Sequence, residues 1–137
     1  MGETALQTGE RLGVYEVLGP IARGGMATVF RVRDTRNDTE LALKLLHPVD
    51  EKSDNTHRFR LEFRALSKLN HHNVLDVREW GMYANRPWYT MPLLLGEDLK
   101  EQLVFWEDLP IAERFERATD ATIQITRALA YIHERGF

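Results

Sequence analysis

The sequence changes its hydrophobic pattern once, near residue 96, and this change limits the folds that the chain can adopt. Before residue 96, short alternating or β-branched runs are separated by turn residues, which is typical of strands. After residue 96, apolar residues recur every three or four positions over long stretches, which indicates helices. The pattern therefore predicts an α+β fold in which strands come first and helices follow.

Five short apolar runs bounded by turn residues are predicted to be strands: residues 12–18, 28–33, 40–46, 74–79 and 88–91. Gly19-Pro20 should interrupt the first strand, and Pro92 should end the last one because proline cannot donate to a sheet ladder. The polar residues 34–39 are typical of a hairpin loop. The first three strands should therefore form an antiparallel meander, with the glycine turn Gly24-Gly25 at one end.

One helix is predicted between the third and fourth strands, with its N-cap at Asn55 or Thr56. Glu62 lies beside the apolar face of this helix, so its carboxylate should point inward. The residues of that apolar face are Phe59, Phe63, Leu66 and Leu69.

Two helices are expected after the strands, a short one over residues 98–105 and a long one over residues 111–134. Gly136 should end the long helix, because it occupies the C′ position that glycine favours. If this helix lacks partners, it should expose apolar residues and promote a homodimer. Those residues are Ile123, Ile125, Leu129, Ile132 and Phe137.

Composition excludes several classes of protein. The 137 residues have a formal net charge of -3, which argues against a dedicated nucleic-acid binder. There is no cysteine, so disulfides and cysteine-based metal sites are excluded. The chain has no secretory signal at its start, and no apolar run approaches the roughly 20 residues that a membrane helix requires, so a cytoplasmic chain without a membrane segment is predicted.

Two adjacent histidines, His71-His72, are expected to form a turn and not a metal site, because no carboxylate or cysteine joins them.

The glycine turn and a lysine on a neighbouring strand indicate phosphate binding. A backbone without side chains at Gly24-Gly25 can approach a phosphate chain closely, and Lys44 supplies the positive charge that phosphates need. Each feature alone is weak evidence for phosphate binding. The alternative is that Lys44 and Glu62 simply form a surface ion pair, worth at most about 1 kcal/mol. Their fixed order carries more weight: strand, glycine turn, strand, strand with Ala-x-Lys, helix with an inward glutamate, two strands and an apolar connector.

This order of motifs resembles the N-terminal lobe of a eukaryotic-type protein kinase, and it is most similar to the bacterial serine/threonine kinases. The resemblance runs from about Tyr15 to Phe137. It implies a kinase-like small lobe, with an antiparallel sheet of about five strands and one helix of the αC type, followed by two helices of an incomplete large lobe. The implied division is a tail at residues 1–11, an ATP-binding lobe at 12–95, and the hinge exit with the first large-lobe helices at 96–137.

The resemblance also implies a site for the phosphates of ATP. Residues 21–29 match the glycine-rich loop, with Gly24 as its middle glycine and Ala22 and Ala27 in place of the first and third. Lys44 matches the lysine that pairs with the α- and β-phosphates, and Glu62 matches the glutamate that holds this lysine. Lys44 and Glu62 are therefore the expected catalytic residues.

The adenosine part of ATP would meet the end of the sheet and the connector. Ala42 matches the alanine that packs on adenine, and Met91 matches the gatekeeper residue behind it. The Pro92 carbonyl and the Leu94 N–H match the hinge groups that bind adenine, while Asp98 is either a ribose contact or a helix N-terminal acid. The expected nucleotide-binding residues are thus Ile21, Ala22, Gly24, Gly25, Val29, Ala42, Lys44, Met91, Pro92, Leu94 and Asp98.

No catalytic base and no metal ligand is assigned in this chain. In the family, the long helix leads into a loop with the catalytic aspartate, and later residues hold Mg²⁺. Residues 131–137 resemble the segment immediately before that loop. We therefore expect Mg²⁺ to bind in the full-length parent only, and the 137-residue chain to be inactive by itself.

The function that the resemblance implies is transfer of phosphate from ATP to protein hydroxyls by the full-length parent, with ATP and a protein substrate as partners. One alternative is a pseudokinase or scaffold that acts by binding and dimerisation, which the replacements Ala22 and Ala27 favour. Another is a small-molecule phosphotransferase with the same lobe. A dinucleotide-binding dehydrogenase is poorly supported, because the glycine turn lies between two strands and not before a helix.

Overall fold

The computed structural model describes residues 6–48 and 54–137 of the chain, and these divide into two compact units. The first unit contains the chain up to Leu69 together with Leu75–Leu93. The second unit contains Asn70–Val74 and Leu94–Phe137. The boundaries of the lobes stay a prediction.

The first unit is an antiparallel sheet of six strands with one helix, in agreement with the predicted α+β, kinase-like fold. The strands are β1 (Arg11–Leu12), β2 (Tyr15–Arg23), β3 (Ala27–Asp34), β4 (Thr39–Leu46), β5 (Trp80–Tyr83) and β6 (Arg86–Pro92), in the order β1-β2-β3-β4-β6-β5. The helix is α1 (Asn55–Leu66), which contacts β6. The meander of β2, β3 and β4 is confirmed, and the sixth strand is the short β1, which pairs with β2.

The predicted interruption of the first strand at Gly19-Pro20 is wrong. β2 continues through both residues to Arg23, because register shifts between Val17 and Gly19 and between Pro20 and Ala22 absorb the irregularity. Bulges of this kind accept a proline that a regular ladder would exclude. The hairpin of β2 and β3 therefore extends to the glycine turn.

The predicted strand at residues 74–79 is also wrong. The strand begins at Trp80, and a two-residue turn at Ala84 and Asn85, with φ of 46° and 61°, connects β5 to β6. Positive φ at both central residues is the backbone that best fits the twist of a two-residue hairpin. Residues before Trp80 still meet β6, since the N–H of Arg78 donates to the Thr90 carbonyl at 2.9 Å.

The start of α1 also differs from the prediction. Its N-cap residue is Asp54, one position before Asn55 and two before Thr56, and its side chain makes no capping hydrogen bond. Three residues of the predicted apolar face pack as expected: Phe59 is buried, and Phe63 and Leu66 pack against the same cluster of residues. The fourth, Leu69, is buried but lies beyond the end of the helix. This packing, and not a cap, holds the helix against the sheet.

Two apolar clusters cover the two faces of the sheet. On one face, which we call the α1 face, Leu46 and Tyr89 pack with Phe59. On the other, which we call the opposite face, the buried residues include Phe30, Leu43, Leu45 and Trp88. Because successive side chains along a strand alternate between faces, Ala42 and Lys44 share the α1 face with Leu46.

The second unit contains the two helices predicted after the strands, α2 (Leu99–Trp106) and α3 (Ile111–Glu134). Asp98 caps α2, and Glu101 completes a capping box. Past the end of α3, Gly136 has a φ of 80° and its N–H donates to the His133 carbonyl at 3.0 Å, which confirms the predicted glycine stop.

The long helix exposes part of its apolar surface. Ile123, Ile125, Leu129 and Phe137 have exposed fractions of 43%, 49%, 48% and 49%, whereas Ile132 is half-buried. No helix in residues 6–48 and 54–137 combines the length and the hydrophobicity that crossing a membrane would require.

Candidate nucleotide-binding site

The register of the sheet aligns several of the predicted site residues on the α1 face. Ala22 lies opposite Val29, Val29 opposite Lys44, and Lys44 opposite Tyr89, so these four residues form a row across four strands. Directly opposed residues of paired strands point to the same face of the sheet. The β4–β6 pairing also places Ala42 opposite the half-buried Met91. Small and apolar side chains therefore flank the cation of Lys44 on this face.

The helix α1 brings Glu62 to Lys44. The Lys44 Nζ donates a hydrogen bond to Glu62 Oε1 at 2.6 Å, and the two side chains are 22% and 32% exposed. The Nζ also lies 5.8 Å from the ring centre of Phe59 and 5.7 Å from that of Tyr89. Lys44 thus lies in a partly buried, aromatic environment, where its electrostatic attraction to an anionic partner is stronger than at an open surface.

The charge state of Glu62 follows from two opposing effects. Burial raises the pKa of its carboxyl, but hydrogen bonds from Lys44 and Tyr89 outweigh burial and hold the pKa below its ordinary value. Glu62 is therefore an anion at neutral pH and a charged partner for the Lys44 ammonium.

The glycine turn is a tight link between β2 and β3. The Gly24 N–H donates to the Ala27 carbonyl at 2.8 Å, and the His47 N–H at the end of β4 donates to the Met26 carbonyl at 2.8 Å. A Cβ added at Gly25 would meet no atom within 4 Å, and Gly25 has no positive φ. Since the fold itself does not require a glycine there, the open approach to this backbone suits the phosphates of a nucleotide.

Ala27 stands where the family has its third glycine, and its methyl group has a structural role. The side chain is buried in the cluster that contains Leu46 and Phe59. It therefore faces the core and does not narrow the approach to the turn.

Other predicted residues are placed differently. Ile21 is the extra residue of a β2 bulge and is half-exposed, and it lines a cavity of about 590 Å³ together with Phe30 and Leu45 of the opposite face. Pro92 ends β6 opposite Leu41. Leu94 and Asp98 belong to the second unit, where the Asp98 carboxylate accepts the Glu101 N–H at 2.8 Å. The helix-cap alternative for Asp98 is thus observed, and its ribose contact stays a prediction.

Sequence reasoning missed Tyr89. Its hydroxyl donates to the same Glu62 oxygen that Lys44 contacts, at 2.5 Å. A tyrosine in an apolar strand gives no local sign of such a contact, because the contact depends on the register between β4 and β6 and on the position of α1.

No metal site accompanies this arrangement in the part of the chain that the structure describes, where no three or more His, Cys, Asp or Glu side chains are grouped to hold an ion. His71, one of the adjacent histidines, takes part in a turn, since its Nδ1 accepts the Asn73 N–H at 3.0 Å.

A kinase-like sheet whose strand lysine is paired to a helix glutamate defines the class of this protein, and comparison with known families agrees. The protein kinase domain family matches residues 15–137. The chain therefore belongs to the protein kinase family.

Curated relatives of the chain are bacterial serine/threonine kinases. It is 37% identical over 126 residues to the DNA damage-responsive serine/threonine-protein kinase RqkA of Deinococcus radiodurans, covering 90% of this chain and 18% of the relative. It is 33% identical to the serine/threonine-protein kinase PrkC of Bacillus subtilis, covering 92% of this chain and 19% of PrkC. The chain thus spans about a fifth of the length of these relatives.

Solved structures show the same fold. The crystal structure of the Mycobacterium tuberculosis PknI kinase domain matches with a TM-score of 0.75 and 26% sequence identity. The match covers 96% of this chain and 53% of that domain. The chain therefore spans about half of a solved kinase domain.

Proposed function

We propose that this chain is the ATP-binding part of a bacterial serine/threonine protein kinase, whose full-length form transfers the γ-phosphoryl group of Mg-ATP to protein hydroxyls. The observation that supports this most directly is the 2.6 Å ion pair between Lys44 and Glu62 on the α1 face. The preference for serine and threonine follows the names of the curated relatives.

Each residue on the α1 face has a proposed task. Lys44 binds the phosphates, Glu62 holds the Lys44 ammonium in place, and the backbone at Gly25 lies along the phosphate chain. Ala42 and Met91 offer apolar surface to the adenine ring. When bound, ATP supplies the phosphoryl group that is transferred.

For a polypeptide of these 137 residues we expect nucleotide binding without phosphoryl transfer. None of its residues matches the family's catalytic aspartate or its Mg²⁺ ligands, and phosphoryl transfer depends on those groups. The protein substrate and the Mg²⁺ site are assigned to the full-length parent.

A scaffold function is the second candidate. Alanine at position 22 lies in the same row as Lys44, where the family has its first glycine, so its methyl group reduces the room for phosphate. Self-association through the exposed apolar residues of α3 belongs to this candidate. Sedimentation velocity over a range of concentrations tests it, because a monomer at all concentrations would contradict the dimer.

Titration with ATP tests the main proposal. We expect the chain to bind ATP saturably by isothermal titration calorimetry, and Lys44→Met to weaken the affinity about tenfold or more, as loss of a charged phosphate contact should. Lys68→Met is the matched control, because Lys68 is an exposed lysine beyond the end of α1. An absence of ATP binding by the unaltered chain would contradict the proposal and favour the scaffold.

A further inference from the structure

Glu62 receives a second donor besides Lys44, the hydroxyl of Tyr89. We propose that Tyr89 is a positioning residue that anchors α1 to the sheet through Glu62, and so keeps Glu62 in place when phosphate draws Lys44 away from it. The nucleotide part of this inference rests on the proposed function, whereas the anchoring of α1 does not.

The two donors converge on one carboxylate oxygen. The Tyr89 hydroxyl lies 2.5 Å from Glu62 Oε1, and the Lys44 Nζ lies 2.6 Å from the same atom. Lys44 and Tyr89 are direct partners across β4 and β6, so both donors leave the same point of the sheet. Tyr89 is only 1% exposed. Its ring therefore has little freedom to turn its hydroxyl elsewhere.

The ring of Tyr89 also contacts α1 on both sides of Glu62. Its centre lies 5.1 Å from the ring centre of Phe59 and 5.8 Å from that of Phe63. Phe59, Glu62 and Phe63 share one face of the helix, since residues three and four apart are neighbours there. Tyr89 thus contacts this face of α1 through both its ring and its hydroxyl.

The chemistry of the two donors differs in a way that matters for nucleotide binding. Lys44 is a mobile cation for which phosphate oxygens would compete with Glu62. If Lys44 alone held Glu62, its departure would leave a partly buried carboxylate without a partner, which is unfavourable. The Tyr89 hydroxyl stays available as a donor, because burial and the neighbouring Glu62 carboxylate raise the pKa of Tyr89. Glu62 therefore keeps a hydrogen bond in either state of Lys44.

Tyr89→Phe is the variant that tests this role, since it removes the hydroxyl and keeps the ring. Tyr15→Phe is its matched control. Tyr15 is also 1% exposed, and its hydroxyl also donates to a glutamate, Glu79, at 2.7 Å. Tyr15 packs in the cluster of the opposite face, away from Lys44.

Hydrogen exchange of the α1 amides in the 137-residue chain without nucleotide is the first measurement, with the β3 amides as the internal reference. We expect Tyr89→Phe to accelerate exchange in α1 about tenfold relative to β3, the size expected for one hydrogen bond to a charged group. Tyr15→Phe should leave this ratio unchanged. An unchanged ratio in Tyr89→Phe, or an equal change in Tyr15→Phe, would overturn the inference.

A second background shows whether the effect acts through Glu62. In a Glu62→Met chain, adding Tyr89→Phe should change α1 exchange by less than about twofold, because the acceptor is already absent. A tenfold effect that persists there would mean that the Tyr89 hydroxyl acts through a group other than Glu62, and would overturn the inference that Tyr89 anchors α1 through Glu62.

ATP titration separates this inference from the proposed function. If the unaltered chain binds ATP, Tyr89→Phe should weaken the affinity several-fold and Tyr15→Phe should not; equal affinities in Tyr89→Phe and the unaltered chain would overturn the nucleotide part. If the unaltered chain binds no ATP, the proposed function fails, and the exchange measurements alone decide whether Tyr89 anchors α1.

Discussion

Tyr15 and Glu79, at distant positions in the sequence, are joined by a hydrogen bond of 2.7 Å from the phenol to the carboxylate. The Arg36 guanidinium contacts both groups: it donates to Glu79 at 2.9 Å and to the Tyr15 hydroxyl at 3.2 Å, and it also donates to Asp34 at 2.7 Å. These contacts connect β2, the turn between β3 and β4, and the residue before β5. The four side chains therefore join segments that local structure alone does not bring together.

We expect Arg36→Ala to destabilise the chain more than the removal of an ordinary surface arginine. Arg36 donates to the carboxylates of both Asp34 and Glu79, and Asp34 is only 3% exposed. Arg31→Ala is the control, since Arg31 pairs only with the exposed Glu40 among its described contacts. Urea unfolding measures both variants, and an equal fall in their midpoints would contradict a special role for Arg36.

The stability should fall in acid, in part because the paired carboxyls of Asp34, Glu62 and Glu79 have lowered pKa values. Side-chain and backbone hydrogen bonds from Arg36 lower the pKa of Asp34. Side-chain hydrogen bonds from Tyr15 and Arg36 lower the pKa of Glu79. The pKa of Glu62 is lowered by its hydrogen bonds from Lys44 and Tyr89. A group with a lowered folded pKa contributes stability above its unfolded pKa and loses it as the pH falls through the folded value. The ordinary values are 3.8 for Asp34 and 4.5 for both glutamates, so the contribution should persist to about pH 5 and fall below it.

Asp34→Asn isolates one of these carboxyls. The difference in urea midpoint between the unaltered chain and this variant should be largest at neutral pH and should shrink as the pH falls below 3.8, the ordinary pKa of the group. A difference that stays constant down to strongly acidic pH would show that the Asp34 charge contributes nothing to the free energy of unfolding.

Gly81→Ala should weaken the hairpin of β5 and β6. A Cβ at Gly81 would lie 2.5 Å from Cζ2 and 2.8 Å from Cε2 of the Trp88 indole, which packs edge-on against Tyr15 with ring centres 5.5 Å apart. Because a buried indole has little room to move, we expect a loss of about 1–3 kcal/mol in the free energy of unfolding. Urea unfolding followed by tryptophan fluorescence measures this loss, and an unchanged midpoint would mean that the indole shifts without loss of stability.

Gly25→Ala, unlike Gly81→Ala, should leave the stability unchanged, and it should reduce the affinity for nucleotide. Its Cβ would meet no protein atom within 4 Å, so the free energy of unfolding should stay within about 0.5 kcal/mol of the unaltered chain. If the turn lies along phosphates, the added methyl group should weaken ATP binding several-fold in calorimetry. ATP affinity equal to that of the unaltered chain would place the phosphates away from Gly25.

Much of the fold follows from local pattern. The helical period of α3 and the glycine after it predicted the helix over residues 111–134 and its stop, because both signals are local in the chain. The strands β3 and β4 were predicted for the same reason. The strand predicted at residues 74–79 was wrong, because pairing with β6 decides where β5 begins, and the turn at Ala84 and Asn85 lacks the glycine that usually marks such hairpins.

The sequence by itself determined the order of strands and helices, the family, and the presence of Lys44 and Glu62 at positions that suit an ion pair. Only the tertiary structure decided that Lys44 lies opposite Tyr89 and that the Tyr89 hydroxyl is a second donor to the Glu62 oxygen. The physical reason is that local periodicity sets which face of its own strand or helix a residue occupies. The register between distant strands, and the seating of α1 on them, depend on packing of the whole core.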